Sequence, residues 1–156
     1  MSARQVGFWA GGVPIPQGSK RIGRAGRKGR PLLIDANDEV LKPWRDVVAR
    51  AAREAMAGAA ALNVPVDVSL VFYMPRPGGH YRADGVTLRA SAPAWPAVKP
   101  DVDKLERAVF DGMTAGGLWV DDSRAVVVRK VKKYADLPHQ AGVAVVAAEI
   151  LEGEAL

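Results

Sequence analysis

The chain has 156 residues, enough for one domain with a buried core. It is 49% hydrophobic and 25% charged with a net charge of +5, a globular composition that excludes a wholly disordered chain. No apolar run reaches the ~18 residues of a membrane span, residues 1–19 lack the charged and apolar regions of a secretory signal, and the absence of cysteine excludes disulfides and thiolate metal sites. With only His80 and His139 for imidazole ligands, any metal falls to carboxylates.

In chain order, residues 6–10 are apolar and partly aromatic and predict a strand, and residues 11–20 (GGVPIPQGSK) predict a loop. Residues 1–30 carry seven positive charges and no negative ones, so the remainder sums to −2. Lys20, Arg21, Arg24, Arg27, Lys28 and Arg30 alternate with glycines, which predicts a cationic loop or hairpin suited to phosphate. Residues 31–34 are its return strand. Asp35 and Asn37 offer caps, Pro43 suits a first helical position, and apolar residues at 44, 47, 48, 51, 52, 55 and 56 carry a helix to about Ala60.

Residues 64–74 alternate as a strand, with Val66, Val68, Leu70 and Phe72 on one face and Asp67 and Ser69 on the other. Residues 75–100 hold five of the eleven prolines and form a long irregular excursion, expected to take shape on a substrate. Within it His80 reads as an exposed or substrate-contacting side chain and Trp95 as the one tryptophan placed to stack on a base. Residues 101–114 form a second helix with Leu105, Ala108, Val109 and Met113 inward, ended by Gly116–Gly117. Residues 125–134 form a strand with one cationic face from Arg129, Lys130, Lys132 and Lys133, and residues 140–151 a last strand. The whole predicts a single α/β domain over residues 1–156, with a mixed sheet and two main helices.

The chemistry lies in carboxylates. In KPDVDKLERAVFDGMTAGGLWVDD (residues 99–122), Pro100 starts a helix whose entrance carries Asp101 and Asp103, where backbone N–H groups and the dipole favour negative charge. Asp103, Arg107 and Asp111 follow at i, i+4, i+8 on one face. Asp121 and Asp122 come beyond the glycine turn, where one of two adjacent strand side chains can face the helix entrance. Singly, these acids read as a cap, a first-turn acid and a turn, and Arg107 as an ion-pair partner of Asp103 or Asp111. Together they repel one another unless a cation lies among them, and a hard divalent ion such as Mg²⁺ suits a few carboxylates plus water and phosphate. Such an ion serves phosphodiester hydrolysis.

Three blocks resemble the RusA family of Holliday junction resolvases: GGVPIPQGSKR, KPDVDKLERAVFDGM and LWVDDSRAVVVRKVKKY, which lie within residues 7–134. The resemblance implies a RusA-like fold and a homodimeric endonuclease that binds four-way junction DNA and nicks two strands symmetrically with Mg²⁺, or Mn²⁺ as a substitute. By position it implies Asp101, Asp103 and Asp122 as catalytic metal ligands, with Asp121 a neighbouring acid. Arg107 falls where the family often carries a lysine; a guanidinium there stabilises phosphate charge but does not readily release a proton. Lys104 stands where other members have Asn and Arg124 where many have Gln, both adding positive charge beside the acids. DNA contacts fall to Lys20, Arg21, Arg24, Arg27, Lys28, Arg30, Lys104, Lys130, Lys132 and Lys133. A nuclease for other branched DNA and a non-catalytic DNA-binding module are the competing readings. The Ala/Arg/Gly-rich usage suits a high-GC bacterium, its prophage or a phage, and the protein is expected to be cytoplasmic.

Overall fold

A computed structural model describes residues 2–18, 20–22, 33–35, 38–136 and 140–154. Arg24, Arg27, Lys28, Arg30 and His139 lie outside the described residues, as do the side chains of Lys20 and Arg21. In chain order come strands β1 (Gln5–Gly11), β2 (Lys20–Ile22) and β3 (Leu33–Asp35), helix α1 (Asp38–Met56), strand β4 (Val66–Pro75), helix α2 (Val102–Ala115), and strands β5 (Ala125–Ala135) and β6 (Gly142–Glu149). The expected α/β fold with one mixed sheet and two helices is present.

β2 and β3 pair antiparallel, Lys20 opposite Asp35, as the two arms of the expected basic hairpin. The main sheet has the order β1-β6-β4-β5, antiparallel except for the parallel β4–β5 pair. Parallel neighbours need a long crossover, and the excursion plus α2 supplies it.

Register places Val68, Leu70, Phe72 and Met74 beside Ala147, Val145 and Val143 of β6 and beside Val128, Lys130, Lys132 and Tyr134 of β5. This face is covered by both helices. Leu41, Trp44, Val48, Ala52 and Met56 of α1 and Leu105, Val109 and Met113 of α2 bury against it. Truncating a residue as enclosed as Phe72 costs about 3–5 kcal/mol. The opposite face, with Trp9, Val131 and Val146, is partly exposed.

α1 begins at Asp38, five residues before Pro43, which therefore lies inside the helix. The earlier start brings Leu41 onto the buried stripe, while Pro43 sits on the exposed side and forfeits one backbone N–H. The helix ends at Met56, short of Ala60, because Ala57 and Gly58 take φ of 48° and 80°.

Two further expectations are corrected. The cations of β5 do not share a face. Strand alternation puts Lys130 and Lys132 on the helix-covered side and Arg129 and Lys133 on the other. The excursion is held in place within the chain itself. The Arg76 side chain, 2% exposed, donates to Asp136 (2.6 Å) and to the carbonyl of Pro93 (2.7 Å), and its guanidinium lies 4.1 Å from the Tyr134 ring centroid. Half-buried His80 packs its ring edge-on to Tyr134 and approaches Arg76 at 3.2 Å through Nδ1. Trp95 is exposed.

Candidate active site

α2 has an acidic group at each end, and the two are built differently. At the entrance, Asp101 is the N-cap residue, yet its side chain makes no capping hydrogen bond. Its backbone carbonyl accepts instead from the N–H groups of Lys104 and Leu105, both at 3.2 Å. Asp103 lies in the first turn. Both side chains are exposed, and neither has an ion-pair partner among the described residues. Capping, the simplest structural use of Asp101, is therefore not what its carboxylate does here. Arg107, one turn on from Asp103, is exposed and forms no ion pair with Asp103 or Asp111.

The far end begins with how α2 stops. Gly117 takes φ of 76°, Leu118 N–H reaches back to the Met113 carbonyl (3.0 Å), and Gly117 N–H to that of Thr114 (3.1 Å). This left-handed closure turns the chain back along the helix. Trp119 then buries edge-on to Phe110, ring centroids 4.9 Å apart, and its Nε1 donates to Thr114 Oγ1 at 2.7 Å. Leu62 holds the same segment from the other side through backbone hydrogen bonds to Leu118 and Val120. The result places Asp121 and the single turn Asp122–Arg124 near Asp111.

Asp111 is 3.7 Å from Arg45 of α1. The helices approach closely there because Gly112 and Gly116 face α1; a Cβ on Gly116 would lie 2.4 Å from the Ala49 carbonyl oxygen. Ser123 Oγ donates to Asp121 at 2.7 Å and holds its carboxyl below the usual carboxylate range. Asp122 is pushed the other way, first by partial burial, then by the neighbouring charges of Asp121 and Asp111. Arg124 turns away to donate to Asn63 Oδ1 at 3.0 Å.

Asp103 and Asp111 are eight residues apart on α2, about 12 Å along its axis at ~1.5 Å per residue. β5 runs back along the helix. Lys130 pairs with Glu106, and Lys132 donates to the carbonyls of Val98 (2.6 Å) and Pro100 (2.8 Å) just before the entrance. Asp122, which precedes β5, therefore lies toward the opposite end from Asp101. Among the described residues no three Asp, Glu or His side chains converge to hold one ion. The structure brings Asp121 and Asp122 to Asp111, and leaves Asp101 with Asp103.

Sequence reasoning placed Asp111 on the acid face of α2 but not in the far group. The signal for it was the Gly116–Gly117 turn, which folds residue 122 back on residue 111. It also missed a cleft of about 570 Å³ beside Asp101, walled by the proline-rich 13–18 segment and the end of the excursion. Of the expected DNA-contacting cations, Lys104 lines this cleft, Lys133 is exposed, and Lys130 and Lys132 are engaged with Glu106 and the two carbonyls. No helix among the described residues is long and apolar enough to cross a membrane.

An α/β domain with acids at both ends of its crossover helix is compatible with a metal-assisted DNA-cleaving family. The chain belongs to that family: the description endodeoxyribonuclease RusA matches residues 11–145. Among the relatives are the proteins named crossover junction endodeoxyribonuclease RusA of Escherichia coli K12, O1:K1 and O6:K15:H31, each 30% identical over 89 residues. The aligned part covers 57% of this chain and 57% of each relative, so the chain spans little more than half the length of these proteins.

Proposed function

We propose that the protein resolves Holliday junctions, as a homodimeric endonuclease that binds four-way DNA junctions and makes paired, symmetric nicks with a divalent ion, Mg²⁺ or in its place Mn²⁺. The observation that carries this reading is the entrance of α2, where Asp101 and Asp103 stand exposed and uncommitted in a chain of an endodeoxyribonuclease family.

Mg²⁺ keeps several waters and takes one or two carboxylates together with phosphate oxygens. Asp101 and Asp103 fit that demand. Asp121 and Asp122 do not join them within one chain. When bound, such an ion lowers the pKa of its water and offsets charge on the scissile phosphate. Arg107 offers a guanidinium on the Asp103 face for the same phosphate charge. Lys20, Arg21 and the basic arm, with Lys104 and Lys133, are the candidates for the DNA backbone. A second copy gives the far acids a role: Asp122 of the partner subunit would complete the ligand set begun by Asp101 and Asp103. Two-fold symmetry then matches the two cuts to the two-fold symmetry of a junction. Such a substrate implies a cytoplasmic protein of a bacterium, its prophage or a phage.

Mixed dimers test this. Asp103→Asn and Asp122→Asn homodimers should each bind a synthetic junction without cutting it. If acids of two copies share a site, a mixed dimer of the two variants keeps one intact site and nicks one strand. A mixed dimer without any nicking overturns the shared site, and wild-type protein that cuts linear duplex or flaps as fast as junctions overturns the substrate.

A further inference from the structure

The cleft beside Asp101 is not accounted for by the acids or the basic arm. Its 570 Å³ fall within the ~300–1,000 Å³ of small-molecule sites. Val13, Pro14, Pro16, Met74, Pro96 and Val98 supply apolar walls, and Lys99, Lys104 and Lys132 lie among the lining residues together with Asp101.

The walls are fastened before any ligand arrives. Gln17 N–H donates to the Lys104 carbonyl at 3.0 Å, which ties the 13–18 segment to the first turn of α2. Lys132 ties down the other wall through Val98 and Pro100. That ammonium has three donors, and the two carbonyls take two. Among the described residues no carboxylate pairs with it, so its charge is not neutralised.

Proline walls present rigid apolar surfaces and no backbone N–H. They suit van der Waals contact with a flat ring and give an extended peptide little to pair with. Three lysines at the same cleft ask for an anion. An apolar slot with cations and a carboxylate beside it therefore matches a planar heterocycle carrying a phosphate.

We propose that this cleft takes one unstacked nucleobase, from a nucleotide next to the phosphate held at Asp101 and Asp103, with Lys104 and Lys132 on that nucleotide's own phosphate. The role in cleavage rests on the junction-resolving reading; the binding of a nucleotide in the cleft does not. A base drawn from the stack fixes the strand against the acids, and unstacking costs least where pairing is already interrupted, as at a branch point.

The test has two arms. In the first, amide NMR shifts are followed during titration with thymidine 5′-monophosphate, thymidine and inorganic phosphate. The monophosphate should bind with a Kd of about 1–10 mM, shift residues of the 13–18, 96–100 and 104 segments, and bind several-fold more tightly than thymidine. Val13→Trp, at a half-exposed wall position, should keep the fold and lose those shifts; Lys104→Gln should weaken the monophosphate toward thymidine. In the second arm, 5-iodo-deoxyuridine beside the cut site of a junction is photocrosslinked, and the adduct should map to residues 13–18 or 96–100. Monophosphate shifts confined to the cleft in a protein that does not cut junctions would sink the functional reading and leave the cleft as a nucleotide site. Junction cleavage with neither cleft shifts nor a cleft crosslink would overturn this proposal and leave the functional reading standing.

Discussion

The two ends of α2 carry the same kind of residue in opposite circumstances. At the entrance the partial positive charge of the helix terminus lies near Asp101 and Asp103, with Lys104 and Lys132 close by. At the exit the terminus is negative, and Asp122 lies within electrostatic reach of Asp111 and Asp121. Asp111 leans on Arg45 and Asp121 on Ser123, while Asp122 is pushed toward its protonated form. Clustered acids are thus not equivalent ligands. At the entrance the helix terminus and two lysines offset the negative charge, whereas Asp122 faces two like charges.

The sharpest way to break this comparison is to neutralise one entrance acid. Asp103→Asn should lower single-turnover junction cleavage about 1,000-fold or more, equivalent to about 4 kcal/mol of transition-state stabilisation. Its thermal stability should fall by only about 0.3–1 kcal/mol, the value of a surface charge at a helix terminus. A variant that cuts like wild type would remove the entrance from the catalytic site.

A structural break at the exit comes next. Gly116→Ala places a Cβ 2.4 Å from a backbone oxygen and 2.9 Å from the Ala52 Cβ of α1. Neither neighbour is the tip of a flexible side chain, so the helices must separate. Chemical denaturation should show a loss of about 1–3 kcal/mol. Gly117→Ala meets no atom within 4 Å but sits at φ 76°, so its cost should be conformational. A Gly116→Ala variant as stable as wild type would mean that the exit acids do not depend on this close approach.

The elements that periodicity controls were legible in the sequence: the β4 alternation, the inner face of α2 and the glycine stop all stand where they were expected. What was not legible depends on contacts between distant segments. Pro43 looked like a helix start because the value of burying Leu41 against the sheet is not written locally. Reading the β5 cations as one face overlooked the strand's own period of two. The entrance acids could be singled out by spacing alone, but that Asp121 and Asp122 stand with Asp111 and not with them depends on how β5 runs back along α2. That direction follows from the parallel β4–β5 crossover, a property of the assembled sheet.

Lys132 probes the entrance more gently. Lys132→Met keeps the apolar stem and removes the donor to Val98 and Pro100. Losing those hydrogen bonds should cost about 0.5–1.5 kcal/mol, with faster hydrogen exchange concentrated in residues 96–104. A uniform change across the chain would mean that the lysine does not fasten the cleft.

The smallest effect separates Asp121 from Asp122 by pH. Asp122 has a raised pKa, so the folded state holds its proton more tightly than the unfolded chain. Its contribution to stability therefore falls as pH rises through the window just above the ordinary aspartate range. Asp121 has a lowered pKa, so its contribution is present above the unfolded value and is lost as pH falls below it. In the wild type the two slopes oppose each other. Asp122→Asn should steepen the loss of stability on acidification and raise stability at neutral pH by a few tenths of a kcal/mol, small because the group is solvent-screened. Asp121→Asn should flatten it by removing the acid-sensitive partner, an effect partly offset because losing the Asp121 charge also lessens the upward shift on Asp122. Denaturant midpoints measured from pH 3 to 7, at constant ionic strength and with chelator present, would show this. If the two variants move the profile in the same direction, the two carboxylates do not have the opposite environments that Ser123 and partial burial assign to them.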